Sequence, residues 1–321
     1  MTADVLMVLI SLIALSAIVA GAGARFAVAL RFPDFDGADG LGRLGLSLLC
    51  GFACLPVCLD LAGRLGPRAL LVAALGLAGS GLAVLIRGWR PLSDAARLGV
   101  ALGGGVGAVF IALLIDWRDG DGGVAHSIYA IDHIKHAQAT WAVSDYGPPP
   151  ANPAFFKPGE TISYYYFFYT LTAAAHMALR PFVGVEPRHV GYAASILIAF
   201  ALYALVHWLW RRARTDAAVG VDAPVDRAAI GWLVALLLVS GLNIVPLMIV
   251  YLGAALSSWT VSVLWVPHHV ASLAASFVAL LAPLEDGAGA WRRTALSGLA
   301  FASAAGLSVY IAAGAALTAT L

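Results

Sequence analysis

Charge is what this chain has least of. Asp, Glu, Lys and Arg make up 12% of its 321 residues, against ~25% in a soluble domain. Hydrophobic residues make up 61%, well above the ~45–50% of soluble chains. A soluble globular domain is excluded and a membrane protein is implied. The formal net charge is only +1, which leaves no broad basic surface and excludes nucleic acid as a partner. Phosphate-binding loops are missing too. The glycine run "GGGVG" sits inside an apolar stretch and follows no strand, so no nucleotide cofactor is expected. Cysteine is sparse: Cys50, Cys54 and Cys58 are spaced four apart on one face of a helix. Three thiolates can hold a soft metal, but small polarisable residues at a helix contact are the simpler reading. Gly99, Gly103 and Gly107 repeat that spacing and read as a close-packing stripe.

What the chain has in abundance is long apolar runs. Val5–Ala24, Leu44–Ala62, Ala69–Ile86, Leu98–Ile115, Val190–Trp210, Ala229–Tyr251 and Ala295–Leu317 are each long enough to cross a hydrocarbon core of ~30 Å as a helix. Tyr164–Leu179 and His269–Leu284 are shorter and read as spans with polar ends. The expected fold is therefore all-α and polytopic, about nine transmembrane helices in one domain over 1–321. The first run has an acidic start and no basic residue before it, so it reads as a retained span and not a signal peptide. The last run meets Leu321 without a polar flank, as expected of a chain that continues further.

Two polar segments interrupt the runs. Residues 211–228 look like an ordinary loop. Residues 116–163 are longer than most connections lacking a span, and such loops are usually functional. Within them "HSIYAIDHIKHAQAT" gathers Tyr129, Asp132, Lys135 and three histidines. On a helical wheel His126, Tyr129, Asp132, His133, His136 and Thr140 share an arc of about 120°. Ala130, Ile131, Ile134, Ala137 and Trp141 occupy the other side. This pattern predicts an amphipathic helix lying in the interface, apolar face in lipid. A merely wet polar face would be built of Lys, Glu and Gln; this one is built of His, Tyr, Asp and Thr. Downstream, "PPPANPAF" gives a stiff extended return path. Tyr164, Tyr165, Tyr166, Phe167, Phe168 and Tyr169 then open the next run. An interfacial belt accounts for two or three such aromatics. Six in a row surround the helix, and some must face the protein, where a ring with a phenol tip suits a sugar or a polyprenyl chain.

These elements together resemble the YYY family of multi-spanning membrane proteins, within the GT-C glycosyltransferases. The matching pieces are Asp132, Pro148-Pro149, Asn152-Pro153, Pro158-Gly159 and Tyr164-Tyr165-Tyr166. "GLNIVP", with Gly241 and Asn243, and "WVPHHV", residues 265–270, resemble two later elements; Trp265 stands where relatives carry Asp, so no second acidic role is carried to that position. The resemblance covers roughly residues 100–285. It implies transfer of a sugar from a polyprenyl-phosphate donor, within membrane lipid, to an extracytoplasmic acceptor of unstated kind.

On that reading residues 116–163 form an extracytoplasmic loop in the cell membrane, with Asp132 as general base and His136 sharing its face. Tyr164, Tyr165, Tyr166, Asn152 and His269 would bind substrate. A divalent ion, Mg or Mn, is conceivable near His133 and His268. Asp121 and Asp119 are the alternative bases. Arg211, Arg212, Arg214 and Arg227 mark 211–228 as cytoplasmic; with two spans between, 116–163 would be cytoplasmic too, against the family's topology and against Arg87, Arg90 and Arg97. The family's orientation is the one expected. A transporter, flippase or non-catalytic protein of the same fold is the alternative function. A zinc protease is suggested only by "HIKH" and "HH", since no HExxH is present.

Overall fold

The computed structural model describes residues 2–89, 91, 103–105, 107–112, 114–115, 117–118, 124–125, 132–150, 161, 165–216, 263, 266–284 and 289–320. The predicted span Ala229–Tyr251 lies outside them, as do Tyr164, Asn152, Asp119, Asp121, Gly241 and Asn243. The described part is helical apart from a two-residue antiparallel ladder, β1 (Trp117–Arg118) with β2 (Val124–Ala125).

Three long helices come first. Helix α1 (Thr2–Ala29), α2 (Gly40–Gly63) and α3 (Pro67–Arg87) form an up-down-up hairpin series. Asp39 starts α2 by accepting a hydrogen bond from the Gly42 amide at 2.7 Å. Pro67 starts α3, where its missing N–H costs nothing. The turn between them passes through Gly66 at φ 118°, a conformation glycine adopts without strain. The helices then touch backbone to backbone. A Cβ on Gly23 would collide with the Ser47 carbonyl, and one on Gly81 with that of Gly21. Small residues at such contacts let dispersion replace the hydrophobic force that lipid cannot supply. Cys50 and Cys54 are free thiols buried on α2.

Helix α4 (His133–Tyr146) and α5 (Phe167–Leu179) follow, then α6 (Pro187–Asp216). Helix α6 runs alongside α1: His189 lies 3.2 Å from Asp4, and the Trp208 indole donates to Asp34 at 2.9 Å. Gly103, in the short helix Gly103–Ala112, makes room for the Phe200 ring of α6, so the glycine stripe does serve packing here. Helix α7 (Pro267–Leu281) leads through a 3₁₀ turn (Ala282–Leu284) to α8 (Ala290–Leu307) and α9 (Val309–Thr320).

Four helices among the described residues are long and apolar enough to cross a membrane: α1, α2, α3 and most of α6, Pro187–Leu209. Two predicted spans take another form. Helix α5 has 13 residues, about 20 Å at 1.5 Å each, shorter than a hydrocarbon core of ~30 Å. It also begins and ends at one end of the bundle. Tyr166, just before it, lies beside Asp60 and Arg64 at the end of α2. Arg180, just after it, donates to Asp145 at 2.9 Å, and the neighbouring Gly147 abuts Gly63 and Pro67. The run Ala295–Leu317 is not one helix either. It breaks at Ser308, whose backbone is extended at φ −165° and ψ 108°. An apolar run reports hydrophobicity, and hydrophobicity alone does not distinguish a crossing helix from a buried short one.

Candidate functional site

The described part of the quoted histidine-rich stretch, residues 132–140, opens α4, which begins just after Asp132. Its polar stripe does not face water. His133, His136, Thr140 and Ser144 are buried at 2%, 1%, 0% and 5% exposure, while Ile134 and Trp141 on the opposite face stay exposed. The outward side is mixed, with Ile134 and Trp141 beside the exposed Lys135, Gln138 and Asp145, and the inward side packs against α5, α6 and α7. The reason is polar complementarity: α5 and α6 present phenols, hydroxyls and an imidazole to that side.

Along the α4–α5 contact these groups pair in rungs. His136 Nδ1 and the Tyr169 phenol share a hydrogen bond at 2.8 Å. The Thr140 and Thr172 hydroxyls meet at 2.7 Å. The Ser144 hydroxyl lies 3.0 Å from His176 Nδ1 and donates to the Thr140 carbonyl at 2.8 Å. Positions 136, 140 and 144 are one helical turn apart and face positions 169, 172 and 176, so the two helices run parallel with matched stripes. Hydrogen bonds across membrane helices contribute ~0.6 kcal/mol each on average. Three in register fix the alignment of the pair more than its stability.

Beyond the first rung lies a cluster of rings. His133 packs edge-on against Tyr192 at 4.8 Å and against His136 at 5.3 Å between centroids. His136 faces His268 at 5.7 Å. His268 and His269 lie 4.3 Å apart, and Tyr165 covers both at 5.7 and 5.8 Å. His269 Nδ1 bonds the Ser308 hydroxyl at 2.7 Å, at the break between α8 and α9. Four of the eight histidines thus collect where α4, α5, α6 and α7 begin. The residues the resemblance marked are gathered from three separate stretches: His133 and His136, Tyr165, and His268 with His269. The pattern gave no sign of Tyr169, Tyr192 or Ser308 as partners. Tyr169 lay in the aromatic block, but its role needs a helix register that an unbroken aromatic run cannot supply.

Asp132 sits at the rim. Its carboxylate lies 3.9 Å from the Lys135 ammonium, with the two side chains 42% and 45% exposed, so it is reachable from outside. Tyr166 is directed elsewhere, to a second polar group at the end of α2. There Asp60, 3% exposed, holds the exposed Arg64 guanidinium at 3.1 Å, with the half-buried Tyr166 phenol beside both. Burial, and then the Asp60 carboxylate, push the Tyr166 phenol above its ordinary ionisation range.

Among the described residues no three His, Cys, Asp or Glu are placed to hold one ion together. Imidazole nitrogens also suit Mg or Mn poorly, since hard cations take oxygen ligands. His133 and His268 stack against other rings in this arrangement and do not converge as an oxygen-rich site.

These helices, four of them long and apolar enough to cross a membrane, enclose a buried imidazole–phenol cluster at one end of the bundle. No family model, curated protein or solved structure matches the chain.

Proposed function

We propose that this protein is a membrane transferase of the GT-C kind, moving a sugar from a polyprenyl-phosphate donor to a hydroxyl acceptor outside the cytoplasm. The observation that carries the reading is the placing of Asp132: an accessible carboxylate on the rim of the buried ring cluster, on a helix whose register is fixed by interhelical hydrogen bonds. A general base needs that combination of access and rigid support.

In the proposed step Asp132 takes the proton of the acceptor hydroxyl as its oxygen bonds to the sugar's anomeric carbon. The bond from that carbon to the donor phosphate breaks, and the polyprenyl phosphate leaves with the electron pair. Among the described residues Lys135, one turn from Asp132, is the cation beside this chemistry, and it offsets the charge on the departing phosphate. Tyr165, stacked on His268 and His269, supplies a ring face for the sugar. His136, buried and bonded to Tyr169, acts by positioning α4 and not by touching substrate.

A non-crossing α5 supports that orientation. If α5 does not cross, residues 116–163 and 211–228 stand on opposite sides of the membrane. Arg211, Arg212 and Arg214 then lie on the same side as Arg87, and the positive-inside rule puts both in the cytoplasm and the cluster outside. The two charge signals that conflicted in the sequence agree once that one crossing is removed.

Transport is the second reading, and the ladder of buried hydroxyls and imidazoles favours it, since intramembrane polar groups mark ion paths. The ladder starts and ends at one end of the bundle, however, and links no two sides. The deciding experiment measures transfer of sugar from a polyprenyl-phosphate sugar to exogenous acceptors in membranes carrying the full-length protein. Transfer above that of membranes carrying an Asp132→Asn variant supports the reading. Equal transfer in both refutes it.

A further inference from the structure

The opposite end of the bundle carries a feature that the transfer reading does not use. Arg43, in the first turn of α2, is 9% exposed. Its Nη2 donates to the Asp36 carbonyl at 2.9 Å, and its guanidinium lies over the Phe35 ring at 5.4 Å. Its Nε is buried without a partner. No carboxylate among the described residues pairs with it; Asp39 is occupied in capping α2. A buried guanidinium without a counter-anion is costly, and such charges are normally found paired.

The space around Arg43 is built for it. Its Nη1 occupies the place a Cβ would take on Gly88, so only glycine at the end of α3 admits the guanidinium. Directly beside it, α2 and α3 leave an open groove of about 490 Å³ lined by Leu44, Leu82, Leu85, Ile86 and Trp89. That volume falls within the ~300–1,000 Å³ of small-molecule sites, and its walls are wholly apolar. The exposed Arg87 stands at the rim. An occupant must therefore bring a long apolar chain for the groove and an anion for Arg43. Guanidinium matches phosphate with two parallel hydrogen bonds.

We propose that this groove binds an anionic phospholipid of the bilayer, its acyl chain along Leu44, Leu82 and Leu85 and its phosphate on Arg43. Trp89, 52% exposed, lies just past the end of α3, and indoles favour the headgroup level of a bilayer. The site is independent of the ring cluster and of the transfer reading.

The test uses the full chain purified in detergent, delipidated, and incubated with vesicles of phosphatidylglycerol or phosphatidylcholine, bound lipid being counted by mass spectrometry of the intact complex. Wild type should retain phosphatidylglycerol about fivefold over phosphatidylcholine, the effect of one Arg near a net anionic headgroup, since the choline cation of the other lipid already neutralises its phosphate. Arg43→Gln should remove that preference, Arg43→Lys should keep most of it, and Arg68→Gln, at the other end of the bundle, should leave it intact. Leu82→Trp, which fills the groove without touching the charge, should lower retention of both lipids; it carries the test if Arg43→Gln fails to fold. Equal retention of the two lipids by wild type, an unchanged preference in Arg43→Gln, or full displacement of lipid by inorganic phosphate alone would each overturn the proposal.

Discussion

His136 and Tyr169, thirty-three positions apart in the chain, meet through a 2.8 Å hydrogen bond in a fully buried setting. The pair joins the loop helix to the aromatic block and sets the register of the two rungs below it. Replacing Tyr169 by Phe keeps the ring and leaves an imidazole nitrogen unsatisfied, at a cost of about 1–3 kcal/mol. A double-mutant cycle with His136→Phe, read by unfolding in detergent, should show coupling of roughly 0.6–1.7 kcal/mol. Strict additivity would mean that the rung does not hold the helices in register.

Asp132 should behave differently. Its side chain is 42% exposed, so Asp132→Asn should change stability by no more than about 0.5 kcal/mol. Sugar transfer should fall at least ~10²-fold, because the amide cannot accept the acceptor's proton. Retention of more than about a tenth of the activity would remove Asp132 as the base and pass the role to Asp121 or Asp119.

The Tyr166 phenol gives a pH signature. Burial and the Asp60 carboxylate hold its proton above the ordinary range. The folded state thus keeps a proton that the unfolded chain loses near pH ~10. Stability should be level below that pH and decline as pH rises through it, since the folded state then binds more protons than the unfolded one. Asp60→Asn removes the repelling charge. The phenolate absorbance that Tyr166→Phe abolishes should then appear at lower pH, and the alkaline loss of stability should shrink. An unmoved titration would show that Asp60 does not act on Tyr166.

Helix α5 can be tested by side of access. In a variant lacking Cys50, Cys54 and Cys58, single cysteines at Ile134 and Phe182, 67% and 84% exposed, lie beside the start and just past the end of α5. Both should react with an impermeant thiol reagent in intact cells, and a cysteine at Trp89 should react only after lysis. Labelling of the Ile134 and Phe182 positions from opposite sides would make α5 a crossing helix.

Much of the fold was legible in the sequence because it depends on local hydrophobicity. The apolar runs at α1, α2, α3 and α6 are long enough that no other structure satisfies their backbone in lipid. A helix in the histidine-rich stretch, the inward role of some of the aromatic block, and the choice of Asp132, His133, His136, Tyr165, His268 and His269 as candidates also came from pattern and resemblance. What these residues do with one another depended on register and on contacts distant in sequence. The polar face of α4 turned inward because α5 and α6 present Tyr169, Thr172, His176 and Tyr192 to it, and no periodicity within α4 encodes its partners. Tyr165 and Tyr166 are adjacent, yet one covers His268 and the other reaches Asp60, a divergence set by where α5 starts. The apolar run Ala295–Leu317 breaks at Ser308 because its hydroxyl bonds His269 across the fold, and hydropathy averages over such a break. Sequence determined which segments leave water. Only the tertiary structure decided where those segments start, break and bury their polar groups against each other, because that depends on hydrogen-bond partners supplied by other helices.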